Sequence, residues 1–342
     1  MKIVLFVIIF FTFTTSACAA GDRFTNCRPF FWGTAVDGYP VTDEVLSELE
    51  VETGLQPQIL VFFLQWPSAP DEGHFPLESL EVAWRAGAVP CITWEPMYYV
   101  DGEEIMVNLE RILSGEYDEY IASFSAGVKQ WKRPVMIRFA HEMNLERYHW
   151  GGTIEDYGPE SPERYIKMFR YVVNAFRDAG ADNALWVFCP NAESVPDISF
   201  DPAASWNRIE AYFPGDAYVD ILGVDGYNWG TTKTVSDHGW QSHWRSFRDI
   251  FEDALKRLKA LSPEKPILVF ETACAGDGGD KISWITEAVQ TAVEWGLMGL
   301  VWFQADKETD WRINSTGDYS YMPVIRSATS CSQRTFDMFL KD

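Results

Sequence analysis

The feature that most constrains the fold is a regular alternation of short apolar runs with helical patterns. The predicted strands are residues 31–36, 59–64, 89–94, 134–139, 185–189, 221–224, 267–270 and 300–303. These runs are rich in β-branched and aromatic residues, and they are continuously apolar rather than alternating. Such runs are typical of a parallel sheet that is buried on both faces.

The segments between these runs predict helices. They are residues 43–52, 77–86, 103–113, 117–131, 162–179, 209–213, 244–261 and 283–295. Eight strands that alternate with helices predict an α/β fold, a single (β/α)8 TIM barrel. A doubly wound sheet is the alternative, and it is less favoured because no G-x-G-x-x-G motif follows the first strand. No linker interrupts the pattern, so we expect one domain over residues 24–342.

The N-terminus predicts export. Residues 1–19 have a basic Lys2, an apolar run and then small residues, which is typical of a secretory signal peptide. The apolar run is too short to cross a bilayer as a helix, so we expect no membrane span. The residues before Cys18 also resemble a bacterial lipobox, which makes a lipid anchor at Cys18 the alternative. We therefore expect a secreted protein, periplasmic or extracellular, in which Cys27 and Cys331 could form a disulfide between the ends of the barrel.

Composition narrows the choice of ligand. The formal net charge is −22 at pH 7, which argues against nucleic-acid binding because that affinity depends on Lys and Arg. Aromatic residues make up 15% of the chain and include 15 Trp, and flat aromatic faces stack on sugar rings. No C-x-x-C motif or paired His spacing indicates a metal site. We expect a monomer that binds a carbohydrate and needs no metal or cofactor.

Two glutamates follow predicted strands at the end of the barrel where catalytic residues lie. Active-site residues lie at the C-terminal ends of barrel strands, and Glu142 and Glu271 follow the fourth and seventh predicted strands. Hydrolysis of a glycosidic bond needs such a pair: one carboxyl group protonates the leaving oxygen, and the other attacks the anomeric carbon or activates water. The structural alternative for each Glu is a loop residue paired with an Arg.

Three segments carry a resemblance to a known family. They read RFAHEMN at residues 138–144, GVDGY at 223–227 and PILVFE at 266–271. Together they resemble glycoside hydrolase family 26, which holds β-mannanases, some β-1,3-1,4-glucanases and β-1,3-xylanases. The resemblance extends in the same order over almost the whole chain after the signal segment. It implies a catalytic (β/α)8 barrel and a retaining double displacement.

The resemblance also implies residue roles. Glu142 would be the general acid/base and Glu271 the nucleophile. His141 would line the sugar site, and Tyr227 would hydrogen-bond the nucleophile. The other candidates are Trp302 as the floor under the reactive sugar, Arg138 as the group that orients a carboxylate, Asn191 and Asp225 as hydrogen-bond partners of the sugar or of neighbouring residues, and Trp94, Trp150 and Trp229 as stacking surfaces.

One departure from the family bears on substrate. Mannanases of this family usually continue with Gly-x-Trp after His-Glu-Met-Asn, whereas this chain has Leu145-Glu146-Arg147. We therefore expect the aromatic wall beside the reactive site to be missing and one face of the cleft to carry Arg147. The expected function is a retaining endo-β-glycosidase that acts on a β-linked polysaccharide or oligosaccharide, with β-1,4-mannan as the main substrate. A β-1,3-1,4-glucanase or other β-glycan hydrolase is one alternative, and a non-catalytic carbohydrate-binding protein is another.

Overall fold

A computed structural model of the chain describes residues 28–330 and residue 332. The predicted signal peptide, the lipobox at Cys18 and the proposed Cys27–Cys331 pair lie outside the described residues. Within them, Cys91, Cys189 and Cys274 are buried free thiols.

The architecture is a closed eight-stranded parallel barrel, so the predicted fold class is confirmed. In the order in which they pair around the barrel, the strands are β1 (Phe31–Val36), β2 (Ile59–Gln65), β3 (Val89–Glu95), β6 (Val135–Phe139), β7 (Ala184–Phe188), β8 (Ile221–Asn228), β9 (Ile267–Cys274) and β10 (Gly299–Gln304). Strand β10 pairs in parallel with β1, from Phe31 opposite Gly299 to Val36 opposite Gln304, and this pairing closes the ring. All eight predicted strands are present.

Helices cover the outside of the barrel. They are α1 (Asp43–Thr53), α2 (Leu77–Arg85), α3 (Leu109–Leu113), α4 (Asp118–Trp131), α5 (Ser161–Ala179), α6 (Val235–His238), α7 (Phe247–Leu261), α8 (Lys281–Glu294) and α9 (Met322–Thr329). None of them, in the described part of the chain, combines the length and apolar character that crossing a bilayer requires. The predicted helix at 209–213 is instead a 3₁₀ turn over Ile209–Tyr212.

The predicted helix over residues 103–113 is wrong in its first half. The chain forms an antiparallel hairpin of β4 (Met97–Val100) and β5 (Glu103–Met106) before the short helix α3. The turn residues Asp101 and Gly102 both have positive φ, 51° and 88°. Asp-Gly is a preferred pair for a type I′ hairpin turn, so the sequence did carry a signal for this element. The hairpin forms one wall of the cleft described below.

Aromatic residues fill the layer between the barrel and its helices. The rings of Trp66 and Trp94 lie 4.9 Å apart, and Trp94 stacks on Phe124 of α4 at 4.3 Å. Trp94 also donates its indole N–H to the hydroxyl oxygen of Tyr120, 3.0 Å away. Much of the high aromatic content is therefore structural.

Candidate active site

A cavity of about 1030 Å³ opens at the C-terminal ends of the barrel strands. Both glutamates predicted from the sequence line it. The strand ends and the loops that follow them supply the remaining wall: Asp37, Phe63, Gln65, Glu95, Tyr99, Glu104, His141, Arg147, Tyr148, Asn191, Tyr227, Trp229, Trp240, Phe303 and Trp311 are among the lining residues. This is the face on which barrel enzymes place their chemistry.

Glu142 is held on strained backbone just beyond β6. Both Ala140 and Glu142 have positive φ, 50° and 49°, a region that residues other than glycine rarely adopt. Backbone hydrogen bonds to neighbouring strands hold this segment, from Ala140 N to Trp94 O at 3.1 Å and from Glu142 N to Cys189 O at 2.8 Å. Strain of this kind persists where the surroundings over-determine it, and it clusters at active sites.

The surroundings of Glu142 favour the protonated carboxyl group. Burial raises its pKa to about 7, and the negative charge of Glu271 acts in the same direction. The side-chain amide of Asn191 donates to Glu142 Oε1 at 2.6 Å and lowers the pKa in part. A carboxyl group with these properties can deliver a proton near neutral pH.

Glu271 is equally buried but has a hydrogen-bond donor on each of its oxygens. Its Oε1 accepts a hydrogen bond from the guanidinium of Arg138, and its Oε2 accepts one from the hydroxyl of Tyr227. Burial, followed by the negative charge of Glu271, raises the pKa of Tyr227 well above its ordinary value, so the phenol remains a donor. A cation on one oxygen and a hydroxyl donor on the other fix the orientation of this carboxylate at the cavity wall.

Arg138 joins the two buried acids beneath the cavity. It is fully buried and pairs with Asp225 through Nη1 at 2.6 Å as well as with Glu271 through Nη2. Its Nε donates to Thr93 Oγ1 at 2.9 Å, so the guanidinium has a partner on each of its nitrogens. The predicted role of Arg138 in orienting a carboxylate agrees with this geometry. Asp225 pairs with Arg138 and does not line the cavity. Of its two predicted roles, the structure favours a partner of neighbouring residues over a contact to the sugar.

A ring nitrogen of His141 and carboxylate oxygens of Asp225 and Glu271 lie within 4.8 Å of one another. Among the described residues, these three could hold a metal ion. The guanidinium of Arg138 already pairs with both of its carboxylates, and its positive charge compensates them. Burial, with Arg138 and Arg147 nearby, lowers the pKa of His141 well below its ordinary value, so the imidazole is neutral. Its Nδ1 lies 4.0 Å from Glu95 Oε1 and has no hydrogen-bond partner among the described residues.

Three predicted sugar contacts are wrong: Trp94, Trp150 and Trp302 do not line the cavity. Trp94 points toward α4, and Trp302 points toward α8, where its ring lies 6.1 Å from that of Trp284. The cause is strand alternation, because the following residues, Glu95 and Phe303, point into the cavity instead. Trp150 lies behind the site and donates its indole N–H to His141 O at 2.6 Å.

The prediction that the aromatic wall is missing is wrong, because Tyr148 supplies one. A 3₁₀ turn over Glu146–Tyr148 brings its ring into the cavity wall, 4.8 Å from His141 and nearly parallel to Trp150 at 5.1 Å. The guanidinium of Arg147 lies 4.9 Å over the Tyr148 ring, and it pairs with Glu104 of the hairpin at 2.9 Å. Arg147 therefore connects the hairpin wall with the Tyr148 wall of the cleft. The sequence predicts only that Arg147 lies on one face of the cleft.

A (β/α)8 barrel whose cavity is lined by two buried glutamates offers the pair of carboxyl groups that hydrolysis of a glycosidic bond requires. Comparison with known proteins gives the family. Residues 90–251 match the family model of glycosyl hydrolase family 26. The chain is 36% identical over 255 residues to Endoglucanase H of Acetivibrio thermocellus. The aligned residues cover 73% of this chain and 26% of that protein. The chain belongs to glycosyl hydrolase family 26.

Further relatives agree with this family. The chain is 34% identical over 127 residues to a mannan endo-1,4-beta-mannosidase of Bacillus subtilis, which covers 35% of this chain and 29% of that protein. It thus spans only between a quarter and a third of the length of these curated relatives. The solved structure of Bacillus subtilis mannanase BCman has a TM-score of 0.60 at 17% identity, over 86% of this chain and 87% of that one. A GH26 β-mannanase from Bacteroides ovatus has a TM-score of 0.55 at 19% identity, over 88% and 90%. These likenesses concern the fold.

The pKa of Glu142 predicts a pH limit on activity. The predicted role of Glu142 as general acid requires that it carry its proton, and its pKa is about 7, so kcat/KM should fall as the pH rises through about 7. Replacing Asn191 with Ala removes a donor that lowers this pKa, so the alkaline limb should move to higher pH. Profiles of kcat/KM against pH for the wild type and Asn191→Ala check both points. An alkaline limb that does not move in the variant would contradict this assignment.

The Arg138 pairings predict a large loss of stability on mutation. Arg138→Met leaves two buried carboxylates without their cation, which should lower the free energy of unfolding by about 3–5 kcal/mol. The matched control is Arg85→Met, which removes an exposed ion pair with Asp43 and should cost less than about 1 kcal/mol. Urea unfolding measures both, and equal losses in the two variants would show that the buried pairings are unimportant.

Proposed function

We propose that the protein is a retaining endo-β-glycosidase that hydrolyses a β-linked polysaccharide, with β-1,4-mannan as the main substrate. The observation that carries this proposal is the contrast between the two glutamates in one cavity. Burial and a neighbouring negative charge raise the pKa of Glu142 to about 7, whereas Arg138 and Tyr227 donate to the oxygens of Glu271. A double displacement requires an acid and a nucleophile that differ in this way.

In the first step, Glu271 attacks the anomeric carbon, and Glu142 gives its proton to the departing glycosidic oxygen. The bond to the leaving sugar breaks, and an ester bond forms between the remaining sugar and Glu271. In the second step, Glu142, now ionised, takes a proton from water as the water attacks the anomeric carbon. The ester bond breaks, Glu271 is again a carboxylate, and the product keeps its β configuration.

Two features support a polymeric substrate. The cavity of about 1030 Å³ is at the top of the range of ordinary ligand pockets, roughly 300–1,000 Å³, so it has room for more than the reactive sugar. Aromatic side chains also line it on several sides, including Tyr99 of the hairpin, Tyr148, and Trp229 after β8. Support for mannan in particular comes from the relatives and solved structures whose names describe mannanases.

A β-glucan is the second candidate substrate, and one observation favours it. The relative with 36% identity over 73% of this chain is named Endoglucanase H. The segment that departs from the usual mannanase pattern, from Leu145 to Tyr148, lies against the reactive site. Mannose and glucose differ in the orientation of one hydroxyl group, so a few contacts in this wall would be enough to change the preference.

A substrate screen separates these candidates. The purified protein should release reducing ends from β-1,4-mannan faster than from mixed-linkage β-glucan or xylan, and Glu271→Gln serves as the inactive control. Faster release from mixed-linkage glucan would favour the second candidate. Binding to these glycans without release of reducing ends would contradict the proposed hydrolysis and favour a carbohydrate-binding protein.

Variants of the two glutamates should fail in different ways. Glu142→Ala should still form the glycosyl-enzyme from a dinitrophenyl glycoside, because that leaving group departs without a proton, and hydrolysis of the intermediate should then be slow. Added azide should speed this second step and give a glycosyl azide of retained configuration. Glu271→Ala should form no covalent intermediate, since it has no nucleophile.

Kinetics with and without azide, together with NMR of the products, check this prediction. Near wild-type activity in both alanine variants would rule out the two-glutamate mechanism. A glycosyl azide of inverted configuration from Glu142→Ala would show that no glycosyl-enzyme precedes azide attack.

A further inference from the structure

We propose that Trp240 forms a binding surface for a sugar unit of the substrate chain other than the one undergoing cleavage. This inference rests on the proposed function and adds a residue to which neither the sequence motifs nor the relatives assign a role. Trp240 lines the same cavity as Glu142 and Glu271, and 45% of its surface is exposed. Single exposed apolar residues are common on protein surfaces, so the proposal depends on how this indole is placed.

A row of aromatic rings connects Trp240 with the reactive site. Tyr227, which donates to Glu271, lies 5.0 Å from Trp311. Trp311 lies 4.8 Å from Trp229, and Trp229 lies 5.8 Å from Trp240, each pair nearly perpendicular. Tyr227 and Trp311 are tilted at 48°, and the two outer pairs pack edge to face, so Trp240 stands at the outer end of a continuous row of aromatic rings.

The loop that carries Trp240 is built to hold it in place. Lys233 and Ser242 close the loop with two hydrogen bonds, from Lys233 N to Ser242 Oγ at 2.9 Å and from Ser242 N to Lys233 O at 3.1 Å. Ser242 is buried although the loop around it is exposed. Between them, helix α6 ends at Gly239, whose φ of 78° turns the chain toward Trp240.

The base of this loop is also fixed. Gly230 has a φ of 55°, and a Cβ atom at this position would lie 1.9 Å from the carbonyl oxygen of Asp277. Thr231 N donates to that same oxygen at 3.2 Å, which ties the loop to the one after β9. Contacts therefore hold the loop both at Thr231 and at the Lys233–Ser242 pair. A side chain on a loop that is fixed before a ligand arrives loses less entropy on binding.

The chemistry of this surface suits a neutral sugar. The ammonium group of Lys233 lies 4.8 Å over the ring of Trp229, so one face of that ring is covered and an N–H donor stands beside the wall. A sugar ring presents a C–H face that can lie on the exposed indole of Trp240 and hydroxyl groups that can accept from Lys233. Both residues line the cavity, so a chain that extends from the reactive site would reach them.

The position of Trp240 in the barrel predicts which part of the reaction it affects. A line from Glu142, after β6, to Glu271, in β9, divides the barrel mouth into two sides. The loop of Trp240 follows β8, which lies between these two strands on one side of the ring, whereas the β4–β5 hairpin follows β3 on the other. A sugar on Trp240 therefore binds on one side of the scissile bond only, and its loss should change which bond of an oligosaccharide is cut.

The test compares Trp240→Ala with Tyr319→Ala, a control that removes a partly exposed aromatic residue, 39% exposed, outside the cavity. The substrates are the polysaccharide that the wild type hydrolyses, a reducing-end-labelled hexasaccharide derived from it, and an aryl glycoside of one sugar. Trp240→Ala should lower kcat/KM on the polysaccharide about tenfold relative to the aryl glycoside, the loss of one aromatic contact of roughly 1.4 kcal/mol. It should also shift the cleavage position in the hexasaccharide, and Tyr319→Ala should change neither.

The outcomes separate this inference from the proposed function. Equal losses on the polysaccharide and the aryl glycoside, or an unchanged cleavage position, would overturn the role of Trp240 while hydrolysis itself stands. A wild type that hydrolyses no β-glycan would overturn the proposed function. Trp240→Phe keeps a flat ring and should recover part of the activity on the polysaccharide, which a variant damaged only in folding would not show.

Discussion

The site depends on one buried cation, Arg138, which holds two acids that could not otherwise share the barrel interior. Its guanidinium pairs with Asp225 and Glu271, and the Arg138 side chain is fully buried. The pairing fixes the orientation of Glu271, and Tyr227 occupies the other oxygen of that carboxylate. Removing the cation would leave two buried negative charges, so the fold and the chemistry depend on the same contact.

Around this centre, the cleft is assembled from segments with unusual backbone. Ala140 and Glu142 adopt left-handed conformations at the cavity wall, and backbone hydrogen bonds to Trp94 and Cys189 hold them there. The Asp101–Gly102 turn allows the hairpin to form a wall, and Arg147 connects that wall to Tyr148. The barrel strands hold the two glutamates, and the hairpin and the loop of Tyr148 form the walls around them.

The fold and the position of both glutamates at one cavity could be predicted from the sequence, because each depends on short local signals. Eight apolar runs predicted the strands, and the residues after the fourth and seventh strands gave Glu142 and Glu271. The sugar contacts were harder, because a continuous apolar run does not reveal which residues face inward. Trp94 and Trp302 were placed in the cleft, whereas their neighbours Glu95 and Phe303 line it. Tyr148 and Trp240 were missed because their positions depend on how loops fold against one another.

The central claim is that Glu271 is the nucleophile of a retaining reaction. The most direct measurement is to incubate the protein with a 2-deoxy-2-fluoro glycoside that has a dinitrophenyl leaving group and to map the labelled peptide by mass spectrometry. Fluorine at C2 slows both steps, and the good leaving group lets the first proceed, so the glycosyl-enzyme accumulates. The account predicts one added sugar, attached to Glu271. A sugar attached to Asp225, Glu95 or Glu142, or an active enzyme that accumulates no label, would contradict it.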